Sequence, residues 1–184
     1  MATLSNTQLD ELRKEIPNID DIWIYDTEVF LHDWLLIFEK LTTGEKMIFH
    51  NDNYGVAQFI DAVTPILGGY NNKHYDQWIL KAIYHGADNA TVKALNEYII
   101  ADGHNDAWNF PFLCGKWLDI AQFDLIDDLG QNPPRLKEIE GHLGMDIEET
   151  EIDFNLSRPL TEGELAKTVK YCSHDVSATV KLLY

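Results

Sequence analysis

Residues 22–29 have the sequence IWIYDTEV, in which an apolar and aromatic run leads into two carboxylates at alternate positions, Asp26 and Glu28. The aromatic and β-branched side chains favour a buried strand, and alternate residues of a strand point to the same face. The two carboxylates therefore project side by side and repel each other unless a cation lies between them. Taken alone, such a pair marks either a metal site or a solvated strand end.

The segments around this strand predict a sheet accompanied by helices. Residues 32–41 and 45–49 form a predicted hairpin across the turn at residues 42–44 (TTG). Further strands are predicted at residues 66–70 and 117–121, and helices at residues 5–16, 53–63, 75–84, 89–100, 134–143 and from 161 to the end. A capping box of Thr161 and Glu164 marks the start of the last helix. A hairpin followed by strands that alternate with helices predicts an α/β fold with a mixed central sheet.

Further acidic residues lie at the start of one predicted helix and inside the last one. Asp76 follows the polar segment 71–74 (NNKH) and Tyr75, and falls in the first turn of its helix. In the last helix, Tyr171 and Asp175 are four residues apart and share a face. Each has an ordinary explanation when taken alone, since an aspartate at a helix start is commonly a cap or a dipole partner. Carboxylates that converge from separate elements are what a catalytic hard cation requires.

The charge balance limits how this chain can bind nucleic acid. It has 31 acidic and 14 basic residues, for a net charge of −17. Strong, salt-sensitive binding of duplex DNA through phosphates needs clustered Lys and Arg, so it is not expected of this chain alone. Three explanations stay open: a solubilising surface, carboxylates that attract phosphate only when metal is bound, or a basic grip supplied by another domain or subunit.

Length and composition are typical of one globular domain. A chain of 184 residues that is 45% hydrophobic can bury a substantial core. No apolar run approaches the ~20 residues of a membrane span, and the N-terminus lacks a signal-peptide pattern. Cys114 and Cys172 predict reduced thiols, and the histidines lack zinc-motif spacing. We expect a cytoplasmic protein with no membrane partner.

In order, these three motifs resemble those of the DEDD superfamily of 3′→5′ exonucleases: DxE on a strand, an N-x(2–3)-Y-D segment, and YxxxD in the last helix. The last motif is that of the tyrosine subclass, because the histidine subclass has a histidine where this chain has Lys170. Residues 25–35 and 136–145 (LKEIEGHLGM) also resemble the exonuclease domain of phage replicative DNA polymerases. The resemblance begins near residue 20, which implies one exonuclease domain over residues 1–184 with residues 1–19 as an N-terminal helical extension.

The resemblance implies a ribonuclease H-like fold, with a five-stranded mixed sheet flanked by helices. It implies two divalent cations, Mg²⁺ or Mn²⁺, one of them held by Asp26, Glu28 and Asp175. Asp26 would also reach the second ion, and Asp76 would act mainly through water. Tyr171 would orient the attacking water, because a phenol with an ordinary pKa of about 10 is a poor base at neutral pH.

Substrate contacts are also implied, by Thr27, Val29, Phe30, Asn71, Asn72 and Tyr75. Either Asn71 or Asn72 can be the asparagine of the second motif. Phe30 has two interpretations of equal weight, a wedge against the terminal bases or an ordinary core residue. His174 is expected to point away from Asp175, because neighbours on a helix face different directions.

The activity implied is hydrolysis of single-stranded DNA or short oligonucleotides from the 3′ end to nucleoside monophosphates. Proofreading beside a DNA polymerase domain or subunit is favoured over a stand-alone trimming role, in the host cytoplasm if the chain is phage-encoded. One alternative is an acidic mimic of DNA without nuclease activity; another is a degenerate exonuclease kept as a scaffold, against which all four acids and the tyrosine are present. The chain stops inside its last predicted helix, which leaves open a longer natural protein or a frayed terminal helix.

Overall fold

The computed structural model describes residues 6–101, 106–130, 132–145, 147 and 152–183. Its sheet consists of β1 (Ile22–Val29), β2 (Trp34–Lys40), β3 (Lys46–His50), β4 (Ile66–Gly69) and β5 (Gln122–Asp124). The strand order is β3-β2-β1-β4-β5. The first three strands pair antiparallel, whereas β4 and β5 run parallel to β1. This is the predicted mixed five-stranded sheet, with the strand order of the ribonuclease H-like fold.

Helices flank this sheet, and the last one begins at the capping box that the sequence predicts. The α-helices in the described ranges are α1 (Asn6–Glu15), α2 (Asn53–Val63), α3 (Asp76–Tyr84), α4 (Asn89–Ile100), α5 (Leu136–His142) and α6 (Glu162–Leu182). Asp52 caps α2 by accepting from the backbone N–H of Gly55, and Thr161 caps α6 in the predicted capping box. Within the described part of the chain, no helix is long and apolar enough to cross a membrane. Ser5 is a candidate cap for the start of α1 and Gly103 a candidate end signal for α4, and both lie outside the described residues.

The sheet separates two hydrophobic layers, and the alternation of β1 decides which residues enter each. Odd-numbered side chains of β1, such as Trp23 and Tyr25, pack in the layer formed with α2, α3 and α4. Even-numbered side chains, such as Ile22 and Ile24, pack against Cys172, Val176 and Val180 of α6. Asp26 and Glu28 continue the even-numbered set. They therefore lie on the α6 side of the strand, where the last predicted motif also lies.

The fifth strand lies at residues 122–124, and the prediction of a strand at 117–121 is wrong. Phe123 of β5 pairs with Gly68 of β4, and a Cβ on this glycine would lie 2.2 Å from the phenyl ring. Because Gly68 has no side chain, the Phe123 ring packs directly over it. This contact places the fifth strand at residues 122–124. Trp117, by contrast, is 75% exposed and belongs to an irregular segment.

Candidate active site

The carboxylates at the end of β1 meet the last helix. Glu28 and Asp175 are buried, at 9% and 8% exposure, and Asp26 is half-buried beside them. Ligand atoms of Asp26, Glu28 and Cys172 lie within 4.8 Å of one another. The Cys172 thiol donates to Asp26 Oδ2 at 3.5 Å. Strand β1 and helix α6 thus bring the first and third motifs together.

Asp76 joins this cluster from the α3 side of the sheet. It is the first residue of α3 and is 5% exposed. Its Oδ1 accepts from the backbone N–H of Thr27 at 3.1 Å and from the Thr27 hydroxyl at 2.6 Å. Thr27 lies between Asp26 and Glu28 on β1, so these two bonds attach the second motif directly to the first. The Thr27 hydroxyl, expected to contact substrate, is engaged by Asp76.

Burial raises the pKa of Asp26, Glu28 and Asp76, and neighbouring negative charges add to the shift. Burial raises the pKa of Asp26 well above its usual value, and the charges of Asp76, Glu28 and Asp175 raise it further. Burial, together with Asp175 and Asp76, raises the pKa of Glu28 to about 8. Burial raises the pKa of Asp76 to about 7, although the bonds from Thr27 oppose the shift. The cluster cannot be fully ionised at neutral pH without a compensating cation, and its oxygen donors fit Mg²⁺ or Mn²⁺.

A lysine that was assigned no role lies in the same site. Lys137 of α5 donates from Nζ to Asp175 Oδ1, and its ammonium lies 5.0 Å from the centre of the Tyr171 ring. Burial, followed by the charges of Asp175 and Glu28, raises the pKa of Tyr171. Tyr171 therefore keeps its proton at neutral pH and remains a hydrogen-bond donor. The signal for Lys137 was present in segment 136–145, but nothing in the sequence tied it to Asp175.

Asp124 at the end of β5 holds the polar loop that precedes Asp76, and it too was missed. Its carboxylate accepts from the backbone N–H of Asn71 at 2.7 Å and of Lys73 at 2.9 Å. Asn71 has a left-handed backbone, with φ of 65°, and an exposed side chain. Asn72 is fully buried and packs against Gly69. Of the two candidate asparagines, Asn71 is the one on the accessible surface.

Two cavities meet beside the carboxylates. The nearer one has a volume of about 540 Å³ and is lined by Thr27, Glu28, Val29, Tyr75, Lys93, Asn96, Glu97, Ile100, Phe154 and Asn155. The second, of about 920 Å³, is lined by Asn71, His74, Tyr75, Ile99, Ile100, Ile126, Asp127, Gly130 and Pro133. Tyr75 and Ile100 line both cavities, so the two are adjacent. The Tyr75 hydroxyl donates to Asn96 Oδ1 in the shared wall.

Two predicted substrate residues on β1 and just after it occupy different places. Val29 is almost fully buried but lines the 540 Å³ cavity. Phe30 is 2% exposed, and its ring stacks on Phe154 with 4.9 Å between centres and 17° between planes. Of the two interpretations of Phe30, the core residue describes its place in this structure.

The expectation that His174 points away from Asp175 is wrong. Ligand atoms of Glu140, His174 and Asp175 lie within 4.8 Å of one another, and His174 Nε2 is 3.3 Å from Glu140 Oε1. Neighbouring side chains on a helix diverge at Cβ, but α5 packs Glu140 against both of them. Because Glu140 lies on another helix, the sequence of α6 alone does not predict this contact.

Comparisons with known proteins give one distant structural match. No family model matches the chain, and no curated protein is significantly similar to its sequence. In structure the chain is similar to Phi29 DNA polymerase complexed with primer-template DNA, with a TM-score of 0.49 and 16% sequence identity. The match covers 88% of this chain and 30% of the polymerase chain. A likeness of this degree assigns no function, so the function proposed below rests on the site.

Proposed function

We propose that this protein is a metal-dependent 3′→5′ exonuclease that hydrolyses single-stranded DNA to nucleoside monophosphates. The observation that carries the proposal is the buried carboxylate cluster of Asp26, Glu28, Asp76 and Asp175. Burying several like charges together is costly unless cations neutralise them. The raised pKa values of Asp26, Glu28 and Asp76 are of the kind that clusters at functional sites.

In this proposal the carboxylates hold two divalent cations, Mg²⁺ or Mn²⁺. Asp26, Glu28 and Asp175 would hold one ion, Asp26 would also help to hold the second, and Asp76 would act through water. When bound, such a pair lowers the pKa of water and neutralises charge on the leaving 3′ oxygen. Thr27 keeps Asp76 oriented through its two hydrogen bonds.

Two side chains beside the cluster complete the proposed chemistry. Tyr171 is protonated, so its hydroxyl orients the attacking water by hydrogen bonding and does not remove a proton. Lys137 compensates the charge of Asp175 and, in this proposal, contacts a phosphate oxygen next to it.

The adjoining cavities provide the proposed binding place for the 3′ end. The 540 Å³ cavity borders Glu28 directly, and Val29, Ile100 and Phe154 give it apolar walls suited to a nucleobase. Lys93 is the one cation that lines it in the described residues, and its ammonium donates to Asn155 Oδ1 at 3.1 Å. A strand held mainly by its bases is compatible with a net charge of −17. Proofreading with a DNA polymerase domain or subunit is the proposed setting, because a net charge of −17 disfavours binding of duplex DNA by this chain alone.

The test is digestion of a 5′-labelled single strand in Mg²⁺ or Mn²⁺. Stepwise shortening of the labelled strand reports 3′→5′ polarity, and D26A is expected to abolish it. E39Q is the matched control, because Glu39 is a buried carboxylate on the neighbouring strand, 3.1 Å from Lys46 and outside the cluster. E39Q should digest the strand as the wild type does. Undiminished digestion by purified D26A would contradict the site.

The same purified protein also tests the alternative, an acidic mimic of DNA. A mimic would leave every strand intact with either metal and would block a DNA-binding enzyme stoichiometrically. The high negative charge suits this role. The mimic does not account for acids that are buried around one point and not displayed on the surface.

A further inference from the structure

We infer that Glu140, His174 and Asp175 form a binding site for a transition-metal ion, Mn²⁺ or Zn²⁺. This site is distinct from the site for two cations proposed at Asp26. Glu140 lies on α5, whereas His174 and Asp175 are consecutive on α6. One ligand atom from each lies within 4.8 Å of the others. The site shares Asp175 with the exonuclease proposal but includes two side chains that the proposal does not use.

Glu140 is a buried carboxylate whose oxygens are not satisfied by hydrogen bonds. Its side chain has no exposure to solvent, and neither carboxylate oxygen makes a hydrogen bond with the described residues. The neighbouring nitrogen atoms are Lys137 Nζ at 3.5 Å and His174 Nε2 at 3.3 Å, neither in hydrogen-bonding geometry. A buried carboxylate in this state is costly unless a cation completes its coordination.

The donor set decides the class of ion. Two carboxylates and one imidazole suit Mn²⁺ or Zn²⁺, whereas Mg²⁺ prefers oxygen ligands alone. His174 Nε2 is buried and also lacks a hydrogen bond with the described residues, so in the tautomer protonated at Nδ1 it can offer its lone pair to an ion. Three evenly spaced ligand atoms that each lie about 2.2 Å from one ion are at most about 3.8 Å apart, so side-chain shifts of about 1 Å bring the three atoms onto one ion.

Lys137 marks the same place as favourable for positive charge. Its ammonium donates to Asp175 and lies beside Glu140, so it neutralises one of the two carboxylates. With His174 neutral, these groups carry a net charge of −1. A dication in place of the ammonium brings the charge to zero and releases Lys137 from Asp175. The ion would also cross-link α5 to α6 in place of the contact between Lys137 and Asp175.

Pulsed electron paramagnetic resonance of the Mn²⁺-loaded full chain tests this site. A histidine ligand produces ¹⁴N modulation of the Mn²⁺ spin echo, whereas the ligands proposed for the two cations of the exonuclease site are all oxygens. We expect ¹⁴N modulation in the wild type and its loss in H174Q. H50Q is the matched control, because His50 also lies against a buried carboxylate, 2.8 Å from Asp33, and should retain the modulation.

Further variants keep the result independent of nuclease activity. E140Q should weaken Mn²⁺ binding at this site at least tenfold and reduce the ¹⁴N modulation, which serves if H174Q does not fold. D26N/E28Q should retain the modulation but should no longer bind the two cations of the proposed exonuclease site. Absence of ¹⁴N modulation in the wild type, or its persistence in H174Q, would overturn the inference whatever the fate of the proposed nuclease.

Discussion

Replacing Glu28 by glutamine should stabilise the metal-free protein. Glu28 is 9% exposed, and its pKa is raised from 4.5 to about 8 by burial and by Asp175 and Asp76. Between these two values the folded state binds more protons than the unfolded state, so stability is lost as the pH rises. Each unit costs about 1.36 kcal/mol, and from 4.5 to 7 the loss is therefore about 3 kcal/mol. Glutamine keeps the shape of the side chain and removes the charge.

Urea unfolding in EDTA, followed by tryptophan fluorescence, measures this effect through the extrapolated free energy of unfolding. At pH 5 the wild type and E28Q should differ little, because Glu28 is protonated in the folded wild type. The advantage of E28Q should grow to about 3 kcal/mol at pH 7 and continue to rise to pH 8. Mn²⁺ at 1,000 times its dissociation constant should reverse the order, since it then adds about 4.1 kcal/mol to a protein that binds it.

E39Q is the matched control for this prediction as well. Glu39 is equally buried but lies 3.1 Å from Lys46 and accepts from the Ser177 hydroxyl at 2.7 Å. Removing its charge breaks an ion pair, so E39Q should lose about 1–3 kcal/mol. The reasoning is refuted if E28Q is less stable than the wild type at pH 7 in EDTA, or if the difference between them does not change with pH.

Two further substitutions test the site and the sheet. Y171F should slow turnover at least about tenfold, because it removes the hydroxyl that orients water. It should leave metal affinity unchanged in calorimetry, and a loss of affinity would show that Tyr171 supports Asp175 as a ligand instead. G68A should lower the free energy of unfolding by about 1–3 kcal/mol, because the new methyl group would lie 2.2 Å from the Phe123 ring. G163A, a helix position with no atom within 4 Å of the added methyl group, should not be destabilised in the same urea titration, and equal losses in both variants would contradict the packing argument.

Local signals in the sequence were sufficient for most of the secondary structure. The bounds of β1, α2 and α4 agree with the predicted segments because alternation, helical periodicity and capping residues act within a few positions. The capping box at Thr161 is present for the same reason. The pairing of Asp26 with Glu28 on one face also follows from the strand period alone. The roles of these acids as metal ligands remain predictions.

What the local pattern missed was decided by contacts between distant segments. The apolar run at 117–121 predicted a strand, but the fit of Phe123 over Gly68 selects the residues that follow it. Lys137 and Glu140 reach Asp175 only because α5 packs against α6, and no spacing within α5 encodes that partner.

The sequence by itself determined the sheet strands that carry alternating side chains, the helix starts and the residues able to bind a hard cation, since each depends on chemistry within one element. Only the tertiary structure decided which of these residues meet. It placed Asp76 on Thr27, gave Asp175 a lysine partner and turned His174 toward a buried glutamate. These contacts form only when whole helices and strands pack together, which brings buried and charged groups close to one another. The spacing of residues along the sequence does not specify which helices and strands will meet.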